Sequence, residues 1–70
     1  MREVVYRDTV IEVHLGVEDA RWRAYFKLRP ETKPPARFDL GLYGDSRTEA
    51  EQLAIRWGQR IIDRAVNKQA

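Results

Sequence analysis

Three stretches of the chain alternate between apolar and polar residues with a period of two, which is typical of β-strands that face a core on one side. The stretches are 10–15, 21–29 and 37–43. Their apolar residues would form one face of an antiparallel sheet: Ile11, Val13, Trp22, Ala24, Phe26, Phe38, Leu40 and Leu42. Residues 4–6 are also strand-prone, and residues 7–9 after them allow either one bent strand or a short hairpin.

The register follows from keeping the apolar residues on one face. The segments 16–20 and 30–35 are expected to be loops, and the second contains three prolines. With these loops, Val13 pairs with Ala24, and Phe26 pairs with Leu40. On the other face the expected cross-strand neighbours are Glu12 with Tyr25, His14 with Arg23, Lys27 with Asp39, and Arg23 with Tyr43.

The last third of the chain predicts one amphipathic helix. Ser46 and Glu49 form a capping box, so the helix should begin near Arg47, run to about Val66 and fray through residues 67–70. An apolar stripe recurs at three- and four-residue steps, and Ile62 and Val66 widen it: Ala50, Leu53, Ala54, Trp57, Ile61 and Ala65. Trp57 is expected to anchor the helix on the sheet. Gly58 inside the helix costs about 1 kcal/mol relative to alanine, so a close approach by a bulky sheet residue or a second subunit should justify it.

These elements predict an α+β fold of two layers. A three-stranded antiparallel β-sheet, with allowance for a short extra N-terminal strand, packs one face on one C-terminal α-helix. Seventy residues correspond to a single ββ(β)α domain spanning residues 1–70, near the lower size limit for folding without help. Tight packing around large aromatics, or oligomerisation, would supply that help.

Composition excludes several classes of site. The chain has no cysteine and a single histidine, His14, so neither a disulfide nor a zinc site is expected, and no cofactor is predicted. The first eight residues contain no apolar run of signal-peptide length, and no segment approaches the length of a membrane span, so a cytoplasmic protein without membrane contact is expected. No catalytic constellation joins His14 or Ser46, and the sequence therefore predicts a binding module and no enzyme.

The charge is unevenly distributed along the chain. Residues 1–20 carry two cations against five carboxylates (−3), residues 21–37 carry six against one (+5), and residues 38–70 carry five against five. The basic segment lies on the polar face of the second strand and its neighbours. We expect these residues to form the candidate interaction face: Arg21, Arg23, Tyr25, Lys27, Arg29, Arg37 and Tyr43.

Two interpretations of that face remain open. In one, the cations meet phosphates while the tyrosine rings stack on bases, as in single-stranded nucleic-acid binding. In the other it is a solvated sheet face on which Glu12 and Asp39 neutralise their neighbours.

The helix contributes a second candidate at Arg56 and Arg60, which Arg64 and Lys68 continue at four-residue steps. This row is either a binding surface or a solvated flank, and Asp63 is expected to neutralise Arg60.

The segment Gly44–Ala54, Gly-Asp-Ser-Arg-Thr-Glu-Ala-Glu-Gln-Leu-Ala, is similar to the Gly-Asp-Thr-x-x-Glu-Ala segment of HicB-like antitoxin half-domains. From Val10 onward the pattern also resembles small, uncharacterised bacterial ββ(β)α proteins related to double-stranded-RNA-binding-like folds. The Leu-Pro-Gly turn of the HicB-like half-domains is missing here, since Leu40-Gly41-Leu42 has no proline. The resemblance implies the fold and a protein built as one small module, and it implies no activity.

Three functions are consistent with these observations. The first is a non-enzymatic binding module that acts by protein–protein contact or as a homodimer, because unpaired sheet edges invite strand pairing. The alternative is nucleic-acid binding through the basic and aromatic sheet face. The third is a small-ligand or peptide carrier that uses the sheet–helix rim near Trp22 and Trp57, which would require a preformed apolar cavity.

Overall fold

The structure is a computed structural model and describes residues 1–68. Four antiparallel strands form one meandering sheet in the order β1-β2-β3-β4, and one helix follows. The elements are β1 (Arg2–Tyr6), β2 (Thr9–Glu18), β3 (Arg21–Pro30), β4 (Ala36–Gly44) and α1 (Arg47–Lys68). The α+β fold with a C-terminal helix on an antiparallel sheet is confirmed, and the strand allowed for at the N-terminus is β1. The sheet therefore has four strands rather than three.

Both of the first two hairpins close with two-residue turns. Arg7 and Asp8 have φ values of 48° and 60°, and Asp19 and Ala20 have values of 51° and 63°. Positive φ at both central residues is the feature of type I′ turns, whose twist matches that of the flanking strands. Residues 7–9 thus belong to a hairpin, and the loop predicted over 16–20 shrinks to two residues.

The shorter turn changes the predicted register of the first long hairpin. Val13 pairs with Phe26 rather than with Ala24, so the prediction was wrong by two residues. The cross-strand neighbours on the other face are consequently Glu12 with Lys27 and His14 with Tyr25. Because side chains alternate with a period of two, a shift of two residues leaves every side chain on its predicted face.

Strand β4 contains a bulge that divides its pairing with β3. Arg23 pairs with Tyr43 as predicted, but Phe26 pairs with Phe38 instead of Leu40, and Lys27 pairs with Arg37 instead of Asp39. Gly41 lies in the bulge with a φ of 66°, a conformation that glycine adopts without strain. Leu40, predicted to join the core, is 45% exposed because the bulge removes it from the regular alternation.

Helix α1 begins at Arg47, as the capping box predicts, and the Glu49 amide donates to the Ser46 hydroxyl over 3.1 Å. It continues to Lys68, two residues beyond the expected end, while residues 69 and 70 of the predicted frayed end lie outside the described residues. It packs on β2, β3 and β4. The buried core combines residues of both layers: Ile11, Val13, Ala24, Phe26, Leu28, Ala50, Ala54, Ile55 and Ile62.

The helix approaches the sheet most closely at Gly58. A Cβ atom at this position would lie 3.1 Å from Cγ2 of Ile11, whose side chain is fully buried. The predicted close approach of a bulky sheet residue is confirmed, and Ile11 is that residue. The small residues Ala50, Ala54 and Gly58 follow each other at four-residue steps and are all buried.

The close approach also decides which way the helix is rotated. Trp57 was expected to anchor the helix on the sheet, but it is 36% exposed, and Ala65 is exposed as well. Glu51 and Ile55 are buried in their place. The small residues lie nearest to the sheet because they let the backbone come close, so the larger Trp57 is displaced to the side of the helix. No helix within residues 1–68 is long and apolar enough to cross a membrane.

Candidate interaction surfaces

The sheet face that α1 leaves uncovered, called the open face below, carries all seven residues of the predicted interaction face. It also carries four carboxylates from neighbouring strands, Glu3, Glu12, Glu18 and Asp39, and the ring of His14. Its cations are Arg21, Arg23, Lys27, Arg29 and Arg37, so five positive charges meet four negative ones. The +5 of the basic segment is therefore largely compensated once the strands are aligned.

Two of the arginines are each held between two carboxylates. Arg23 donates from Nη1 to Glu18 over 3.0 Å and from Nη2 to both oxygens of Asp39 over 2.8 and 2.9 Å. Because both carboxylates favour the charged guanidinium, the pKa of Arg23 is raised. Arg29 pairs with Glu3 and lies 3.0 Å from Oε2 of Glu12. Both arginines would have to exchange protein carboxylates for phosphates in order to bind a nucleic-acid backbone.

The ring of Tyr25 lies in a stack that crosses three strands. The imidazole of His14 on β2 is parallel to it, with ring centroids 4.7 Å apart and 5° between the planes. The guanidinium of Arg37 on β4 lies 4.5 Å from its centroid. Since β2 and β4 flank β3 on opposite sides, both faces of the Tyr25 ring are occupied. A nucleobase could stack on Tyr25 only by displacing His14 or Arg37.

Glu12 links this stack to the paired arginines. Its Oε1 lies 2.8 Å from Nε2 of His14, and its Oε2 contacts Arg29. The hydrogen bond from His14 and, after it, the charge of Arg29 lower the pKa of Glu12 despite partial burial. The carboxylate is thus fixed in its charged form by two neighbours on the open face.

At the end of the open face near Asp45, Tyr43 and Arg21 lie close together. Arg21 is 5.3 Å from the centroid of the Tyr43 ring, and its Nε is 3.8 Å from Asp45. The Tyr43 hydroxyl donates to Glu18 over 3.4 Å. These exposed contacts are worth little individually, but they give Arg21 and Tyr43 partners within the chain.

Lys27 and Arg37 differ from the other cations of the open face. They are direct cross-strand partners, and within the described chain neither forms an ion pair with a carboxylate. Glu12, the neighbour of Lys27 on β2, is already engaged by His14 and Arg29. The cations of the open face that lack a direct ion pair within residues 1–68 are therefore this one cross-strand pair.

The secondary candidate, Arg56 and Arg60, lies on an outward strip of α1. We define the helix flank as Leu53, Arg56, Trp57, Arg60 and Arg64, in which Leu53 is three and four residues from Arg56 and Trp57, these are four and three residues from Arg60, and Arg64 follows four residues later. The guanidinium of Arg60 lies 4.8 Å from the centroid of the Trp57 ring. No ion pair among residues 1–68 involves any of the three arginines. The helix flank is thus a row of uncompensated charge beside an exposed tryptophan.

Asp63 does not neutralise Arg60, contrary to the sequence prediction. It faces β1, where it accepts a hydrogen bond from the Tyr6 hydroxyl over 2.9 Å and pairs with Arg7 over 3.3 Å. The hydrogen bond and then desolvation raise the pKa of Tyr6. Glu51 likewise turns to β1 and meets Arg2 over 2.6 Å. Both helix carboxylates on this side are bound to the sheet, which leaves the arginines of the opposite side without partners.

The start of α1 lies against the end of β4, since a Cβ atom at Gly44 would lie 2.6 Å from the Ala50 amide nitrogen. Ile61, one turn beyond Trp57, lines a groove of about 290 Å³ with Leu28 and Pro30. This groove lies at the C-terminal end of α1 and includes neither Trp22 nor Trp57, the residues proposed for a carrier site.

Within the described residues, no group of three or more His, Asp or Glu side chains is placed to hold a metal ion. Comparison of the chain with protein-family models, with curated proteins and with solved structures gave no significant match. The resemblance to HicB-like and double-stranded-RNA-binding-like modules stays a prediction.

Proposed function

We propose that this protein is a non-enzymatic binding module that contacts another protein through the helix flank. The observation that carries the proposal is the position of Trp57, which is 36% exposed and packed against Arg60 between two further arginines without carboxylate partners among residues 1–68. Tryptophan and arginine are the residues most enriched at the energetic centres of protein interfaces. An exposed tryptophan inside an arginine row is therefore more informative than either residue alone.

The charge of the helix flank indicates the kind of partner. Three arginines without counter-charges favour a surface with carboxylates around an apolar pocket that admits the indole of Trp57. A second copy of the chain fits this flank poorly, because a two-fold contact would place its arginines against their own copies. A homodimer would have to use another surface, and light scattering across a concentration range tests that prediction.

The two edges of the sheet are less suited to pairing with a partner's strand than the sequence suggested. The β4 edge is interrupted by the bulge at Gly41, and β1 is only five residues long. Bulges and short edge strands are the devices by which natural sheets avoid pairing with another strand. Strand addition is therefore a weaker route to a partner than the helix flank.

The nucleic-acid alternative receives less support from the open face than the sequence suggested. Arg23 and Arg29 are each paired with two carboxylates, and both faces of the Tyr25 ring are covered. Phosphates and bases would have to compete with these contacts. The alternative stays a prediction.

Site-specific photo-crosslinking in the cells that make the protein tests the proposal. A photoreactive amino acid is placed at Gln52, which is exposed one turn before Arg56, and, as a control, at exposed Glu31. We expect a discrete protein adduct from position 52 only, and its loss in an Arg60→Glu background. Truncation of a hot-spot residue costs about 2 kcal/mol or more of binding free energy, close to a thirtyfold loss of affinity.

The matched control for the charge reversal is Lys33→Glu, which changes the net charge equally in the β3–β4 loop. Adduct formation should survive in this variant. The proposal is contradicted if positions 52 and 31 give the same adducts, if the adduct persists in Arg60→Glu, or if the crosslinked species is a nucleic acid.

A further inference from the structure

We propose that Lys27 and Arg37 form a binding site for a phosphate-group dianion on the open face. The site lies on the opposite layer from the helix flank and does not depend on the function proposed above. Lys27 and Arg37 are paired across β3 and β4, so two positive charges stand directly opposite each other. Like charges in this position destabilise a sheet, and a bound anion between them would convert the cost into an attraction.

The absence of an internal counter-ion distinguishes this pair from the rest of the open face. Arg23 and Arg29 each have two carboxylates, and Arg21 has Asp45. Of the five cations, only Lys27 and Arg37 lack a carboxylate partner within residues 1–68. Direct ion pairs thus hold three of the five cations, while Lys27 and Arg37 have none; the charge of Lys27 acts on Glu12, whose pKa it helps to lower, without forming an ion pair.

The surroundings of the pair restrict how an anion would bind. Lys27 and Arg37 line a shallow depression of about 280 Å³ together with Glu12, His14 and Tyr25. The guanidinium carbon of Arg37 lies over the Tyr25 ring, 4.5 Å from its centroid, which restricts where the guanidinium can lie. Its N–H groups are available to an acceptor, because Arg37 pairs with no carboxylate within residues 1–68. The ammonium of Lys27 supplies a second, rotatable donor.

The charge balance favours a phosphate group over a carboxylate. A phosphate monoester carries nearly two negative charges at neutral pH and three acceptor oxygens, whereas a carboxylate carries one charge and two oxygens. The dianion matches both cations at once. Glu12 lines the same depression, but its oxygens are already engaged by His14 and Arg29, which reduces its repulsion of a bound anion.

An NMR titration at fixed neutral pH and constant ionic strength tests the site. The probes are inorganic phosphate, phosphoserine and a nucleoside monophosphate, with acetate as the carboxylate control. We expect saturable shifts for all three phosphate probes, centred on Lys27, Arg37 and Tyr25, and only weak, non-saturating shifts with acetate. Equal affinity for the three probes would show that the site recognises the phosphate group alone. Tighter binding of phosphoserine or of the nucleoside monophosphate would show which kind of phosphate ester the site prefers.

Single substitutions then assign the shifts to the pair. Lys27→Gln and Arg37→Gln should each weaken phosphate binding by about tenfold, which is the effect of losing one hydrogen bond between charged groups. Lys33→Gln and Arg56→Gln remove the same charge elsewhere and should leave the affinity unchanged. The spectra without ligand check that each variant is folded, and relief of the like-charge contact predicts that Lys27→Gln is no less stable than the parent.

The proposal is overturned if acetate and phosphate give the same response, or if the phosphate shifts centre on the helix flank. It is also overturned if the affinity is the same in Lys27→Gln, Arg37→Gln and the two control variants.

Discussion

Replacing Gly58 by alanine should destabilise the protein, although alanine is the better helix former. In an unconstrained helix the change would stabilise by about 1 kcal/mol. Here the added Cβ would meet three atoms of Ile11, with Cγ2 at 3.1 Å, Cδ1 at 3.2 Å and Cγ1 at 3.4 Å. Ile11 is fully buried and cannot move into solvent, and overpacking of this kind costs about 1–3 kcal/mol. We expect a net loss of about 1 kcal/mol.

Urea and thermal unfolding followed by circular dichroism measure this effect. A loss of about 1 kcal/mol in a domain of this size lowers the Tm by about 4–8 °C. The exposed position Gln52 gives the matched control. The Gln52→Ala variant should be more stable than Gln52→Gly by about 1 kcal/mol, because alanine is the better helix former at a site without tertiary contacts. If Gly58→Ala instead raises the stability by the full amount of this control, the helix does not contact Ile11 as described.

Three further predictions concern the contacts that hold the layers and strands. Ser46→Ala should cost about 1 kcal/mol in chemical denaturation, because the hydroxyl caps α1. Because the pKa of Glu12 is lowered by folding, its charged form stabilises the protein above the unfolded-state pKa, and this stabilisation disappears as the pH falls through the folded-state pKa. Between pH 6 and pH 3 the free energy of unfolding should therefore decline less steeply in Glu12→Gln than in the parent. Tyr6 has a raised pKa, so its bond to Asp63 contributes stability below the unfolded-state pKa and loses it as pH rises through the folded-state pKa. The difference in ultraviolet titration between the parent and Tyr6→Phe isolates the ionisation of Tyr6, which should occur at a higher pH in the folded than in the unfolded protein; ionisation at or below the unfolded-state pKa would contradict the contact.

The faces of the sheet could be predicted from the sequence, whereas its registers could not. Alternation fixes which side chains share a face, and a two-residue error preserves that assignment. The register depends on the turn, and the turn at Asp19-Ala20 contains no glycine although both residues have positive φ. Gly41 inside a strand pattern was a usable signal for the β4 bulge, because glycine in a strand often marks one.

The rotation of the helix escaped prediction for a different reason. Counting apolar residues places Trp57 in the core, since it is the largest apolar side chain of α1. The contact is formed instead by the small buried residues Ala50, Ala54 and Gly58, and at Gly58 the backbone of the helix approaches Ile11. Glu51, a charged residue, is buried because it meets Arg2 of β1. Partners of this kind, distant in sequence, are invisible to a helical pattern.

The same reason explains why the candidate surfaces changed in importance. The basic residues of β3 were visible in the sequence, but their carboxylate partners come from three other strands. Conversely, Asp63 is three residues from Arg60 in the helix yet faces β1. Counting charges along the sequence therefore overestimated the net positive charge of the open face and underestimated that of the helix flank.

The central difference between the two surfaces is that Arg23 and Arg29 of the open face are each paired with two carboxylates, whereas no arginine of the helix flank has a carboxylate partner among residues 1–68. NMR of the arginine side chains measures this directly, since a guanidinium held by two carboxylates rotates slowly about its Nε–Cζ bond. We predict separate, slowly exchanging Nη signals for Arg23 and Arg29, and averaged signals for Arg56, Arg60 and Arg64. Averaged signals for Arg23 and Arg29 together with restricted rotation on the helix flank would contradict the claim.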